Sequence, residues 1–303
     1  MLPTDILNVR PTSVSLEVST KCPLNCVYCK RKGKGDNMTT GMYAELMKRI
    51  EESGHIKNAV YCGIGESFMN PDFYKMVKDS SFEGISVISS GMIPIKFDEL
   101  SEDGKLKLAI FSIDAVTEES IKNTCGQNYR YDVLLENLEK LRRVAGNNKK
   151  IMTLLNCTVD ENNYNILPKI VEFAIEHGFK IVHFSLPWGM EEFIVEHMAE
   201  IELGVIKAKA LASKAHIFCD NPFKSYCCIQ IDSILPFVNI EGEVFPCGYA
   251  LHQGYSVGNL IKDSFEDIWN SEGYKSFRQG GLCERCFMMR MDKLRKGEIN
   301  AGE

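Results

Sequence analysis

The stretch SVSLEVSTKCPLNCVYC, residues 13–29, decides the reading of this chain. It opens with a short run rich in β-branched residues, the composition of a strand, and continues into a loop that sets Cys22, Cys26 and Cys29 in a C-x3-C-x2-C spacing. Three thiols packed so tightly after a strand form disulfides, do redox chemistry or hold a metal centre, and the rest of the chain has to choose among these.

The 303 residues exceed the usual length of one domain, and a barrel of about 200–250 residues with a small appendage accounts for them. With 45% hydrophobic and 25% charged residues the composition is that of an ordinary globular protein with a sizeable core. A net charge of -6 leaves no overall basic field for nucleic acid. No apolar run approaches the ~18 residues of a membrane span. The opening MLPTDILNVRPTSV has no charged leader followed by an apolar segment, so no secretory signal is expected and the chain reads as cytoplasmic. In a reducing compartment structural disulfides are rare, and the 12 cysteines point to metal or redox chemistry.

Working outward from residues 13–18, further strand candidates fall at 58–63, 84–90, 107–114, 150–159 and 180–187, about 30 residues apart, with helical segments between them. In residues 162–177, Ile166, Ile170, Phe173, Ala174 and His177 recur at helical spacing, and Gly178 follows as a stop. Another helix is expected to open at Asn70 as N-cap, with Pro71 in its first turn. Six alternating βα units predict an α/β fold, an open (β/α)6 partial barrel with a parallel sheet and right-handed crossovers. Ligands in such sheets gather at the C-terminal ends of the strands, which is where the first cysteines lie. After a polar helical stretch over 191–216 the character changes to short strands, turns and clustered cysteines. The expected division is therefore 1–215 for the partial barrel and 216–303 for a small α+β cluster-binding domain packed against it.

Thiolates hold iron-sulfur clusters, normally four per cluster, so three in one loop leave one iron open to another ligand. Zinc is the rival, but a structural zinc site takes four ligands and neither a fourth Cys nor a His lies close by in sequence. With Tyr28 just before Cys29, the loop resembles the signature of the radical S-adenosyl-L-methionine (SAM) enzymes. GIGES, residues 63–67, resembles that family's GGEP segment, although Ile64 stands for a glycine and Ser67 for the proline. SSG, residues 89–91, stands where relatives often have TNG; SIDA, residues 112–115, and Asn156 occupy the places of polar contacts near the SAM ribose. The resemblance implies that Cys22, Cys26 and Cys29 hold a 4Fe-4S cluster whose open iron is chelated by SAM. It also implies that Tyr28, Gly63, Gly65, Glu66, Ser89, Ser90, Ser112, Asp114 and Asn156 surround the cofactor, with Glu66 on its amino group. Reductive cleavage of SAM would then give a 5'-deoxyadenosyl radical, chemistry that belongs to the cofactor while the protein orients and excludes.

A second constellation is C-terminal. GEVFPC ends at Cys247, Cys228 lies fourteen residues before Gly242, and Cys283 and Cys286 form a C-x2-C. This resembles the SPASM extension of the same enzymes in its shortened twitch form, and residues 256–278 resemble its connecting helix. Cys228, Cys247, Cys283 and Cys286 would ligate every iron of an auxiliary 4Fe-4S cluster, an arrangement suited to electron transfer. Cys227 is the alternative to Cys228, and a four-cysteine zinc site is the alternative to the cluster.

Other residues are weighed individually. Lys30, Arg31, Lys32 and Lys34 form either a steering patch or a solvated face. Cys62 and Cys157 are expected to fill core, while Cys125 and Cys219 are candidate hydrogen donors to a substrate radical. Asp160 is a second strand-end carboxylate beside Asp114. The six histidines show no metal-binding spacing and receive no ligand role.

Three functions follow as expectations. The first is a radical SAM oxidoreductase that dehydrogenates a carbohydrate-like alcohol, the auxiliary cluster taking the second electron from substrate and a flavodoxin- or ferredoxin-like partner supplying the first. The second is a maturase that cross-links or epimerises a ribosomally made peptide. Such maturases often carry a leader-binding module before the barrel, and a first strand beginning near Ser13 leaves little room for one, which favours a small molecule. The third, of another class, is a non-catalytic metal-binding or electron-transfer protein.

Overall fold

A computed structural model describes residues 9–29, 31, 35–223, 235–280, 282–283 and 286–298. Six strands appear where the sequence places them: β1 (Ser13–Leu16), β2 (Asn58–Tyr61), β3 (Gly84–Ser89), β4 (Leu106–Ser112), β5 (Met152–Thr158) and β6 (Ile181–Ser185). They pair in sequence order and all in parallel. Between them run α1 (Thr40–Ser53), α2 (Phe73–Asp79), α3 (Phe97–Ser101), α4 (Glu118–Cys125), α5 (Tyr131–Asn147) and α6 (Leu167–Glu176). After β6 come α7 (Glu191–Glu196) and α8 (Met198–Lys214). β7 (Phe218–Cys219) then adds a parallel strand beside β6.

The C-terminal part continues the same sheet from its other edge. β8 (Phe237–Val238) pairs in parallel with β1, β9 (Glu243–Phe245) runs antiparallel to β8, and β10 (Gly258–Asn259) antiparallel to β9. Short helices accompany these strands: α9 (Gly248–His252) between β9 and β10, then α10 (Phe265–Trp269), α11 (Glu272–Arg278) and α12 (Phe287–Lys296). The sheet order is therefore β10-β9-β8-β1-β2-β3-β4-β5-β6-β7. Because β8 hydrogen-bonds to β1, the strand that leads into the cysteine loop also carries the C-terminal part.

Alternation along the strands gives the sheet two different faces. Leu16, Tyr61, Val87, Phe111, Leu155 and Phe184 are buried with the apolar faces of the helices, such as Tyr43, Leu46, Met47 and Ile50 of α1. Ser15, Val60, Ile88, Ile110, Asn156 and His183 lie on the opposite, half-buried face, the inside of the open barrel. No helix among the described residues is long and apolar enough to cross a membrane.

Two helix starts differ from the sequence expectation, for one shared reason: a buried Asn is used elsewhere. Asn70 does not cap a helix; its Nδ2 donates to Val18 O (2.8 Å) and Met38 O (2.9 Å), and its Oδ1 accepts from Asp72 N (3.0 Å), so α2 begins only at Phe73. Asn163 likewise holds a turn, its Oδ1 accepting from Asp160 N and its Nδ2 donating to Asp114 O and Thr158 O. This delays α6 to Leu167, with Pro168 in its first turn, and α6 ends just before Gly178 as expected. The helical stretch from 191 is two helices, interrupted at His197.

Candidate functional site

The three-cysteine loop leaves the C-terminal end of β1 and is clamped at both ends. Ser19 bridges Asn37, and Thr20 N donates to Asp36 O at 2.9 Å. On its other side, Asn25 N and Val27 N donate to Cys125 O and Thr124 O, both at 3.0 Å, so the loop docks on the last turn of α4. Cys22 and Cys26 are half-buried and Cys29 is exposed. Burial pushes the Cys22 thiol up to about 11, whereas a hydrogen bond with Cys125 brings that of Cys26 down. Arg31 folds back to donate to Leu24 O at 3.0 Å; Lys30, Lys32 and Lys34 lie outside the described residues.

The loop after β2, residues 63–67, lies against this one. Glu66 N donates to Lys21 O at 2.8 Å. A Cβ on Gly65 would fall 2.4 Å from Ser19 O and 2.7 Å from Lys21 O, so only glycine lets the two backbones approach this closely. Gly63 is pressed on the Glu17 side chain, and Glu17 Oε1 accepts from Ile64 N at 2.8 Å. Burial drives the Glu17 carboxyl up to about 7.

Glu66 is 4% exposed. Its Oε2 accepts from Ser89 Oγ (3.1 Å), Ser90 N (2.9 Å) and Ser90 Oγ (2.8 Å), so these serines of β3 and its end hold the carboxylate. Its Oε1 is buried with no hydrogen-bond partner. Burial raises the carboxyl above its ordinary range despite these three donors and the backbone N–H of Phe68 nearby. A buried carboxylate oxygen left without a donor is costly, and the natural remedy is a ligand that brings one.

Asp114, at the end of β4, is fully used. Its Oδ2 accepts from the Tyr28 hydroxyl and its Oδ1 from Thr158 N at 2.7 Å, while burial lifts it to about 7. Asp114 thus ties the cysteine loop to β5 and fixes Tyr28. Asp160 is buried close by with one oxygen unpartnered. Ser112 and Asn156 are register partners on β4 and β5, on the inside of the barrel, and Asn156 is in turn level with His183 of β6.

The two candidate hydrogen donors are both buried. Cys125 is buried at the end of α4 with its thiol against Cys26. Cys219 pairs with Val182 and shares its buried, helix-packed face, away from the inside of the barrel. Cys157 is fully buried as core, and Cys62 sits half-buried beside Glu17.

In the C-terminal part, Cys247 is buried at the start of α9, where its Sγ accepts from Ala250 N at 3.4 Å. Cys283 and Cys286 are half-buried and joined by a Cys286 N to Cys283 O hydrogen bond of 3.0 Å. Cys227 and Cys228 lie outside the described residues. No three metal-ligating side chains converge on one point among the described residues. The fit to a cluster and SAM therefore rests on the three-thiol loop, the orphaned oxygen of Glu66 and the glycine approach beside it.

Sequence reading missed Glu17, Asn163, the Cys26–Cys125 contact and the His183–Asp220 pair. Glu17 and His183 carry a faint signal, a polar residue just past the end of one strand and at an inside position of another; their partners come from distant segments and carry none.

Comparison with known proteins agrees with this geometry. Residues 16–174 match the family model described as the Radical SAM superfamily, and residues 227–287 match SPASM, an iron-sulfur cluster-binding domain. The chain is 25% identical over 295 residues to a tungsten-containing aldehyde ferredoxin oxidoreductase cofactor-modifying protein of Pyrococcus furiosus, covering 87% of this chain and 82% of that one. It is 26% identical over 312 residues to a PqqA peptide cyclase of Xanthomonas campestris, covering 91% and 79%. Among solved structures, Streptococcus suis SuiB bound to S-adenosylmethionine superposes with a TM-score of 0.69 at 12% identity, over 93% of this chain and 72% of that one.

Proposed function

The chain belongs to the radical SAM superfamily and carries a SPASM-type cluster domain, and from that premise we propose that it oxidises a substrate held on the inside of the open barrel, removing a hydrogen atom, a proton and an electron in net dehydrogenation. Cys22, Cys26 and Cys29 would hold the 4Fe-4S cluster, Glu66 Oε1 the amino group of SAM, and Ser112 and Asn156 its ribose. Cys247, Cys283 and Cys286, with Cys228 or Cys227, would hold the auxiliary 4Fe-4S cluster. When bound, these groups supply a 5'-deoxyadenosyl radical that takes a substrate hydrogen atom and an acceptor for the second electron. The protein's own part is positional. The clamp on α4 and the Tyr28–Asp114 bond fix the loop, and Ser89 and Ser90 aim Glu66.

The observation that carries the reading is the buried, partnerless Oε1 of Glu66 beside a three-thiol loop. The substrate of first choice is a carbohydrate-like alcohol, because β6 presents His183 and Ser185 to the inside of the barrel as hydrogen-bonding groups beyond those given to SAM. Modification of a peptide is the second reading, favoured by the relative named as a peptide cyclase. A flavodoxin- or ferredoxin-like protein would deliver the first electron.

The test is anaerobic reconstitution of the chain and of a Cys22/Cys26/Cys29→Ala variant, with iron, sulfide and 5'-deoxyadenosine measured under reductant and SAM. About eight irons falling to about four, with 5'-deoxyadenosine lost, supports the reading. About four irons in the unsubstituted chain, or zinc in the C-terminal set, removes the electron acceptor and the dehydrogenation with it. Regeneration of SAM with an isomeric product would replace oxidation by epimerisation.

A further inference from the structure

Net oxidation of a secondary alcohol turns a C–O single bond into a carbonyl: carbon loses a hydrogen atom, oxygen a proton, and one electron leaves. On the reading above the hydrogen atom goes to the deoxyadenosyl carbon and the electron to the auxiliary cluster. The proton still needs an acceptor.

His183 lies on β6 between Val182 and Phe184, both fully buried, so strand alternation turns it to the inside of the barrel. It is the register partner of Asn156, which is the register partner of Ser112. With β strands about 4.8 Å apart, His183 stands one strand beyond Asn156 and two beyond Ser112, the positions given to the SAM ribose. Its Nδ1 is hydrogen-bonded to Asp220 Oδ2. Asp220 follows β7, and its other oxygen accepts from Phe184 N at 3.1 Å. Both side chains are largely enclosed, 20% exposed for His183 and 13% for Asp220. Nε2 makes no hydrogen bond among the described residues.

Each bond of this pair has a consequence. The Phe184 amide can only donate, so it pins Asp220 Oδ1 and leaves Oδ2 to the imidazole. A carboxylate facing Nδ1 requires the proton on that nitrogen, which puts the lone pair on Nε2. Without β7 the pair could not form: those two residues hydrogen-bond beside β6 and deliver Asp220 level with His183. An imidazole oriented and polarised by a buried carboxylate, with its second nitrogen free, is the arrangement of a general base.

We propose that His183 is the catalytic base of this enzyme, accepting through Nε2 the proton that leaves a substrate hydroxyl as the carbonyl forms, and that Asp220 is the positioning residue that fixes its tautomer. The assignment rests on the oxidation reading and names the substrate group it requires, an O–H or N–H lying beside the carbon that loses hydrogen.

The test uses diethyl pyrocarbonate, which acylates only an unprotonated imidazole nitrogen, on the full-length chain, with each histidine followed by peptide mass spectrometry. His183 should react, and Asp220→Asn should slow it at least tenfold while the other histidines keep their rates. In that variant the Phe184 amide holds the Asn oxygen, the Asn NH2 faces Nδ1, and the proton is driven to Nε2. Equal rates in the two proteins overturn the proposal, as does an unreactive His183. Should Asp220→Asn fail to fold, 15N-histidine NMR of the unsubstituted chain decides: an unprotonated Nε2 supports the proposal and an unprotonated Nδ1 overturns it. The labelling is repeated on the reconstituted protein with SAM bound. Continued reaction at His183 places it on the substrate side, and complete protection assigns it to the SAM site and ends the argument for a substrate base. If the chain fails to cleave SAM, the oxidation reading falls, while the labelling still reports whether Asp220 sets the tautomer of His183.

Discussion

Replacing Glu66 by Gln separates the binding role of this residue from any structural one. Gln keeps one oxygen for Ser89 Oγ, Ser90 N and Ser90 Oγ, so the anchoring bonds at 3.1, 2.9 and 2.8 Å survive. Its NH2 then occupies the place of Oε1, the buried oxygen that has no partner. A cationic amino group would meet a donor there in place of a carboxylate, losing one charge-assisted hydrogen bond of about 1.5–3 kcal/mol. At about 1.4 kcal/mol per factor of ten, SAM affinity should fall roughly 10- to 150-fold. Stability should move the other way or not at all, because burial already raises the Glu66 carboxyl and the amide carries no charge to desolvate. The assay is anaerobic calorimetric titration of SAM into the reconstituted protein, paired with thermal melts of the two chains. A change in affinity below about threefold would show that Oε1 does not face the ligand. A melting point lowered by more than about 4 °C would show that the carboxylate is structural.

Three further outcomes are expected. Gly65→Ala drives a methyl into Ser19 O and Lys21 O, at 2.4 and 2.7 Å, and these are backbone atoms of the cysteine loop; a stability loss of about 1–3 kcal/mol is expected with weakened SAM binding, and an unchanged denaturation midpoint refutes the contact. The Glu17 carboxyl is raised from 4.5 to about 7 by burial, so the folded state binds its proton more tightly than the unfolded chain and the associated stability, at most about 3 kcal/mol, is present below pH 4.5 and lost as pH rises through 7. Glu17→Gln should accordingly gain on the unsubstituted protein as pH rises across that window in urea titrations, and a difference that does not vary with pH counts against it. Cys247→Ala should lower iron from about eight to about four per chain and leave SAM cleavage by the N-terminal cluster in place; retention of about eight would remove Cys247 from the ligand set.

The barrel was legible because its signals are local and repeated. Runs such as KLAIFSID and KIVHFSLP announce β4 and β6 through composition and spacing. β7 to β10 have two or three residues each, too few for any period, and their pairing is set by where the chain returns, so the joining of both parts into one sheet could not be read in advance. Asn70 shows the limit of local rules: its cap-like position next to Pro71 was plain, but two carbonyls from Val18 and Met38 claim the side chain. In the site, the cysteine spacing and Glu66 were legible through resemblance. The His183–Asp220 pair was not, because a pairing across 37 residues between a strand and the loop after its neighbour leaves no pattern in the sequence.

Four buried carboxyls, Glu17, Glu66, Asp114 and Asp160, mark the C-terminal ends of the strands, and both Glu66 and Asp160 keep an oxygen with no hydrogen-bond partner; what distinguishes Glu66 is its place between the cysteine loop and the end of β3. Glu17, Glu66 and Asp114 each accept a backbone N–H from a neighbouring loop or strand end, from Ile64, Ser90 and Thr158 respectively. Each is also raised by burial, so each costs stability when ionised. That cost is tolerable for Glu17 and Asp114 because they fasten the two loops that flank the site: Glu17 holds the 63–67 loop, and Asp114 holds Tyr28 of the cysteine loop. Of these three, only Glu66 keeps a buried oxygen with nothing to accept from, although three donors fix its other oxygen. A group so firmly aimed and so poorly satisfied is stabilised by a ligand that brings it a donor. The loops held by the other two acids, one with the three thiols and one with Gly63 and Gly65, are joined to each other through Glu66 N, which donates to Lys21 O.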